Sequence, residues 1–192
     1  MSLLSYREIE LIFQSSYFYQ NQLIYVVDPK TRTYQTDINY QNFIEYADHI
    51  RQSFHLGCTI ILKGLEGFHP LVAQKALSYG PNVDAHLYLT KSAGSISFDF
   101  HEDDRDVYIH MIKGTKVFEI KNQNRNQNQG LIEKQILKEG QELYIPKGVL
   151  HRAQSLGMSI MISFGREALH YFALPGGLQV SDFVPDRSQL EI

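Results

Sequence analysis

The chain carries little from which to build a disulfide, a membrane span or a nucleic-acid surface. Its single cysteine, Cys58, cannot form an internal disulfide, and its neighbours Thr59, Ile60, Ile61 and Leu62 read as a buried strand. That suits a reducing, cytoplasmic setting. No run of about 18 apolar residues occurs, the length a membrane helix needs. Arg7, Glu8 and Glu10 come too early for the apolar core of a signal peptide, so neither secretion nor membrane insertion is expected. The 18 basic residues stand against 21 acidic ones, a formal charge of −3 spread along the chain. That leaves no basic footprint for a phosphate backbone, and no nucleic-acid partner is expected.

What is present is the composition of a folded globular protein, 43% hydrophobic and 20% charged over 192 residues, enough for one substantial core. The first 57 residues mix signals. Tyr6 to Phe13 reads as a short amphipathic helix and Leu23 to Val27 as a strand ended by Asp28-Pro29. Tyr40 to Phe54 reads as a helix with Phe43, Ile44, Ala47, Ile50 and Phe54 on its apolar face. From Cys58 the pattern changes. Thr59 to Leu62 is a strand, and Pro70 to Tyr79 a helix stopped by Gly80-Pro81. Beyond Asp84 almost every segment is extended: Ala85 to Thr90, Ser95 to Phe100, Val107 to Ile112, Lys116 to Lys121, Leu131 to Leu137, Glu142 to Ile145 and Ser159 to Phe164. Gly94, Gly114, Gly130, Gly140 and Gly157 punctuate them.

Many short strands at near-regular spacing predict a mostly β fold, a double-stranded β-helix or jelly-roll barrel of the cupin kind with a helical N-terminal part. The expected organisation is an N-terminal extension over 1–57, a barrel over 58–173 and an irregular tail over 174–192. The Asn/Gln-rich tract from Asn122 to Gly130 has nothing to bury and reads as an extended hairpin loop.

Candidate chemistry begins with two imidazoles and a carboxylate. Non-haem Fe(II) accepts such a set on one face, with open positions left for other ligands. His101 and Asp103 are two apart, so on a strand end both project to the same side while Glu102 points away. His151 follows a strand and the turn Pro146-Lys147-Gly148, which suits a barrel mouth. Alone, each signal is weak: His-x-Asp recurs by chance, and a histidine after a turn is more often merely exposed. Asp104 is a rival carboxylate.

Four segments change those odds together: Lys63 to Pro70, Ala85 to Thr90, His101 to Asp103 with Ile112 to Lys116, and Gly140 to His151. They resemble the JmjC-type oxygenases, in the cupin-like branch that includes ribosomal-protein hydroxylases and the asparaginyl hydroxylase of hypoxia-inducible factor. The likeness covers roughly residues 58 to 165. In that family a lysine fifteen residues after the first iron ligand binds the distal carboxylate of 2-oxoglutarate, and Lys116 stands fifteen residues after His101. The resemblance implies Fe(II) on His101, Asp103 and His151, with 2-oxoglutarate held by Lys116. Tyr88, Ser163 and Thr90 are further contributors on the co-substrate side. A dicarboxylate buried in a barrel needs a fixed cation at its far end, which gives Lys116 a physical reason of its own. Read by composition alone, it would be a strand lysine facing solvent.

The implied activity is a dioxygenase reaction that consumes molecular oxygen, turns 2-oxoglutarate into succinate and carbon dioxide, and hydroxylates a small molecule, an amino acid, a peptide or a protein side chain. Met111 and Phe118 stand where many relatives carry Gln and Trp, which leaves the substrate open, as does the short chain after Gly165. A metal-binding cupin that senses a ligand without oxygenase activity is the alternative, and a homodimer is a reasonable expectation for the fold. Of the other histidines, His110 is expected outside the barrel by its alternation with Ile109 and Met111. His86 is expected near the site, and His49, His55, His69 and His170 away from it.

Overall fold

A strand buried on one face reads as alternating apolar and polar residues, and β4 (Val83–Thr90) does so in a barrel that buries both faces. Val83, Ala85, Leu87 and Leu89 face one core, while Asp84, His86 and Tyr88 line an interior cavity on the other side. The computed structural model describes residues 3–21, 23–28, 30, 34, 35, 43–122 and 131–166. The Asn/Gln-rich tract beyond Asn122, the tail from 174, Pro29 and His170 lie outside the described residues.

The elements in chain order are α1 (Tyr6–Phe13), α2 (Ser16–Gln20), β1 (Ile24–Val27), β2 (Tyr34–Gln35), α3 (Phe43–His55), β3 (Thr59–Leu62), α4 (Pro70–Tyr79) and β4, then β5 (Asp106–Lys113), β6 (Thr115–Asn122), β7 (Leu131–Lys138), β8 (Glu142–Ile145), β9 (His151–Ser155) and β10 (Ser159–Arg166). Local chemistry sets their ends. Ser5 and Glu8 form a capping box at the start of α1, and Pro70 opens α4 where its missing N–H costs nothing. Gly80 ends α4 at φ 135, a backbone angle that side chains rarely adopt.

Two antiparallel sheets enclose the interior: a seven-stranded one in the order β2-β1-β3-β4-β10-β5-β8 and a three-stranded one in the order β7-β6-β9. This is the mostly β, cupin-like barrel that the strand spacing predicts. The outer face of the larger sheet packs on the helices, where Leu4, Ile9, Ile12 and Phe18 share a core with Leu87, Ile162 and Phe164. Its inner face offers Val107, Ile109, Met111 and Met161, which meet Phe118 and Leu137 of the smaller sheet. No helix among the described residues is long and apolar enough to cross a membrane.

Three sequence expectations need correction. Ser95 to Phe100 is not a strand: its backbone pairs with β9 through isolated bridges at Ile96 and, just beyond it, His101, and not as a ladder. Gly94 turns the chain with φ 80, and the small residues Ser92, Ala93, Ser95 and Ser97 carry too little apolar surface to cover a sheet face. Conversely, His151–Ser155 forms β9 by pairing with β6, although His-Arg-Ala-Gln-Ser has no apolar alternation. On α3, Tyr46, Ile50 and Ser53 are the buried side chains, and Ile44 projects into solvent.

Candidate metal centre and its cavity

The two histidines are brought together by backbone pairing. His101 and His151 exchange both N–H···O=C hydrogen bonds, at 3.0 and 2.9 Å, so their side chains leave neighbouring positions on the same face. Their ring centroids lie 4.5 Å apart. Asp103 is not on a strand; the turn before β9 fixes it, through the Gly148 N–H donating to the Asp103 carbonyl at 3.0 Å. One ligand atom from each of His101, Asp103 and His151 falls within 4.8 Å of the others, and His151 Nε2 is 3.5 Å from Asp103 Oδ2.

Tautomers follow from the partners. His101 Nδ1 lies 2.8 Å from the Asp99 carbonyl and His151 Nδ1 2.9 Å from that of Val149. A carbonyl oxygen only accepts, so both Nδ1 atoms carry the proton and both Nε2 lone pairs remain to coordinate. Burial pushes the His151 imidazole below its usual range, and the nearby His101 adds to this, which favours the neutral form that a metal needs. Two neutral imidazoles and a carboxylate fit Fe(II) and related divalent ions. The rival Asp104 is instead drawn to Arg105, 2.9 Å away, which holds its carboxyl below the ordinary range.

These three residues line a cavity of about 500 Å³. Ile109, Phe118, Ala153 and Met161 form apolar walls, and Tyr88, His86 and Ser163 add polar groups from β4 and β10. Lys116 also lines it, yet is only 2% exposed. The register explains the arrangement: His151 pairs with Ile120 and Ser155 with Lys116, so lysine and histidine share the inner face four residues apart. That offset is about 13 Å along the strand, a span that the lysine stem, the imidazole and a small ligand fill between them. Among the described residues no carboxylate comes within ion-pair distance of Lys116; its hydrogen-bond partner is Thr90 Oγ1, at 3.5 Å. Burial alone pushes its ammonium down to about 8.

Thr90 therefore sits behind Lys116 and off the cavity wall, fully buried, while Tyr88 and Ser163 are on it. His110 lies on the outer face, where its Nδ1 meets Glu142 at 2.9 Å. His86 is near the mouth, 3.4 Å from Asp84. An ion cluster at that mouth was not anticipated: Asp84 also pairs with Arg105 at 3.0 Å and accepts from the Gly165 N–H at 3.2 Å. Burial raises the Asp84 carboxyl, but His86 first, then Arg105 and the hydrogen bond from the Gly165 N–H, hold it below its usual range. Alternation in β4, which aligns Asp84 with His86 and Tyr88, was the signal that could have found it.

Comparison with known proteins agrees with this geometry. The JmjC domain family matches residues 71–174, more than half of the chain. No curated protein matches. Among solved structures, the fold is similar to YcfD, a ribosomal oxygenase from Escherichia coli, with 16% identity, a TM-score of 0.62, and coverage of 100% of this chain and 55% of that one. The same enzyme in complex with cobalt and 2-oxoglutarate aligns at 16% identity with a TM-score of 0.61 over the same shares. Its complex with cobalt and succinic acid aligns at 17% identity with a TM-score of 0.58, again over 100% and 55%. This chain thus spans about half the length of the solved relatives it matches. A barrel with these strands, this inward His-Asp-His group and this family match belongs to the JmjC domain family.

Proposed function

We propose that the protein is an Fe(II)- and 2-oxoglutarate-dependent oxygenase that hydroxylates a small molecule, an amino acid, a peptide or a protein side chain. The observation that carries this reading is Lys116: a buried cation on the cavity wall, lacking a carboxylate partner among the described residues. Desolvating a charge is costly unless something compensates it, and a dicarboxylate reaching in from the metal end would do so. With a titration point of about 8 the lysine is still mostly cationic at neutral pH.

In this reading His101, Asp103 and His151 hold the iron, and Lys116 holds the far carboxylate. Tyr88 and Ser163 flank the co-substrate, while Thr90 supports the lysine from behind. The bound iron and 2-oxoglutarate would supply the oxidation: one oxygen atom enters a substrate C–H bond and the other leaves in succinate, with loss of carbon dioxide. The protein contributes orientation and exclusion of water, through the walls of Ile109, Phe118 and Met161. Cobalt and 2-oxoglutarate bound together in a similar fold support the reading. The same proposal takes residues 58–173 as the catalytic barrel, 1–57 as an extension packed on it and 174–192 as a tail.

Thermal unfolding with Co(II) alone and with Co(II) plus 2-oxoglutarate tests the assignment. A second, additive rise in Tm is expected from the co-substrate, followed by succinate release with Fe(II) in air. Metal stabilisation without any response to 2-oxoglutarate would leave a metal-binding cupin and overturn the oxygenase assignment. Mass spectrometry for the gain of one oxygen, across amino acids, peptides and ribosomal extracts, then identifies the substrate.

A further inference from the structure

Buried hydroxyl groups gather behind Lys116. Thr59 on β3, Thr90 on β4 and Ser97 in the segment leading to His101 are all buried. Ile60 pairs with Leu89, so Thr59 and Thr90 are the next cross-strand pair, and their Oγ1 atoms are 3.2 Å apart. The Ser97 hydroxyl donates to Thr59 Oγ1 at 2.9 Å. Lys116 Nζ meets Thr90 Oγ1 at 3.5 Å. A continuous chain therefore runs Ser97, Thr59, Thr90, Lys116. It starts at the cavity wall, passes behind it and returns at the lysine.

The order of protons that satisfies these atoms is directional. Ser97 gives its proton to Thr59, Thr59 can then give its own to Thr90, and a Thr90 lone pair is left for the ammonium. Without Thr59, a buried hydroxyl of Thr90 has lost a partner, and a rotation about its χ1 takes Oγ1 away from the lysine. Strand residues exposed to solvent have no need of such a chain; these are buried where an apolar side chain would fill the space equally well.

Resting on the reading of Lys116 as the co-substrate lysine, we propose that Thr59 and Ser97, neither of which bonds the lysine itself, are positioning residues that hold Thr90 against Lys116 and so set its hold on a carboxylate. The groups facing Lys116 across the cavity are few. Tyr88 comes from β4, and His101, Asp103 and His151 stand at the metal end. Asp84, His86, Arg105, Asp104 and Lys63 stand at the mouth, and none of these forms an ion pair with the lysine. The hydroxyl chain is therefore the lysine's polar environment until a ligand enters.

The test uses the full chain loaded with Mn(II), with calorimetric titration of 2-oxoglutarate across pH, and in parallel the metal-free protein with ¹⁵N-labelled lysine to follow the Lys116 titration by NMR. Thr59→Val keeps the shape and removes the hydroxyl; it should weaken 2-oxoglutarate about tenfold and lower the Lys116 midpoint. Thr59→Ser restores the hydroxyl without the methyl and should return both readouts towards wild type, whereas a packing role would make it the worse variant. Ser97→Ala should act in the same direction and more weakly, and it keeps the test open if Thr59→Val fails to fold. Unchanged affinity and midpoint in these variants, or a Thr59→Ser as impaired as Thr59→Val, overturns the proposal. Wild-type protein that ignores 2-oxoglutarate would defeat the oxygenase reading instead, while the NMR titration would still judge the chain.

Discussion

At the metal end of the cavity, side chains are set by backbone hydrogen bonds that tie an irregular segment to the start of β9 and the turn before it. At the lysine end they are set by strand alternation. His101 and Asp103 lie in a stretch with hardly any regular pairing, tied down through the His101–His151 exchange and the Gly148 N–H. Lys116 sits inside β6, facing inward because every second residue of a strand does. The difference suits the two tasks. Converging ligands need three directions that a single strand cannot supply, and loops fixed on a rigid scaffold can supply them. A lone cation needs only depth and a constant direction, and a central strand gives both.

The sharpest way to break the comparison is to damage one end and read the other. His151→Ala removes one of the three proposed metal ligands and should reduce Co(II) affinity by more than about 100-fold in a spectroscopic titration. The fold should persist, because the β9 pairing with β6 is backbone-mediated. Retained metal binding would mean that the three residues do not form the centre.

Lys116→Met is the reciprocal variant. It should leave Co(II) affinity near wild type and weaken 2-oxoglutarate by roughly 100-fold, as for a lost charge-assisted hydrogen bond. It should also raise stability at neutral pH by about 1 to 3 kcal/mol, since an ammonium held at about 8 instead of 10.5 carries a desolvation penalty. A fall in Tm for this variant would contradict a lysine without a compensating partner.

The mildest effect is that of pH. The folded lysine titrates near 8 and the unfolded one at 10.5, so between those values the unfolded chain binds a proton that the folded chain has released. The contribution of this group to stability therefore rises with pH through that window, and its penalty is fully present below it. Co-substrate binding runs the other way: a neutral amine does not hold a carboxylate, and affinity should fall about tenfold per pH unit above 8. Calorimetry at several pH values checks this, and an affinity flat to pH 10 would exclude the ammonium as the binding group.

The regular half of the molecule was legible because its strands announce themselves. β3, β5, β6, β8 and β10 are apolar and β-branched runs between glycine turns, and α4 has Pro70 at its start and Gly80 at its end. The segment from Ser95 to Phe100 misled because isolated apolar residues, Ile96 and Phe98, imitate alternation without enough surface to sustain a strand. β9 was invisible for the opposite reason: its residues belong to no pattern, and its partner β6, about thirty residues earlier, makes it a strand. Of the mouth cluster, alternation in β4 aligns Asp84 with His86, but the contact with Arg105, from the segment before β5, is one that no local spacing encodes.

By itself the sequence determined the strand and helix periods, the chemical types of the metal group and the fifteen-residue distance from His101 to Lys116, since these depend only on side-chain identity and order. Tertiary structure alone decided that Asp104 is drawn away to Arg105, that both Nδ1 atoms are tied to carbonyls, and that Lys116 is buried against Thr90 rather than solvated. The physical reason is that burial, tautomer and convergence are properties of atoms from separate strands meeting in space, and a linear pattern fixes none of them until the barrel closes.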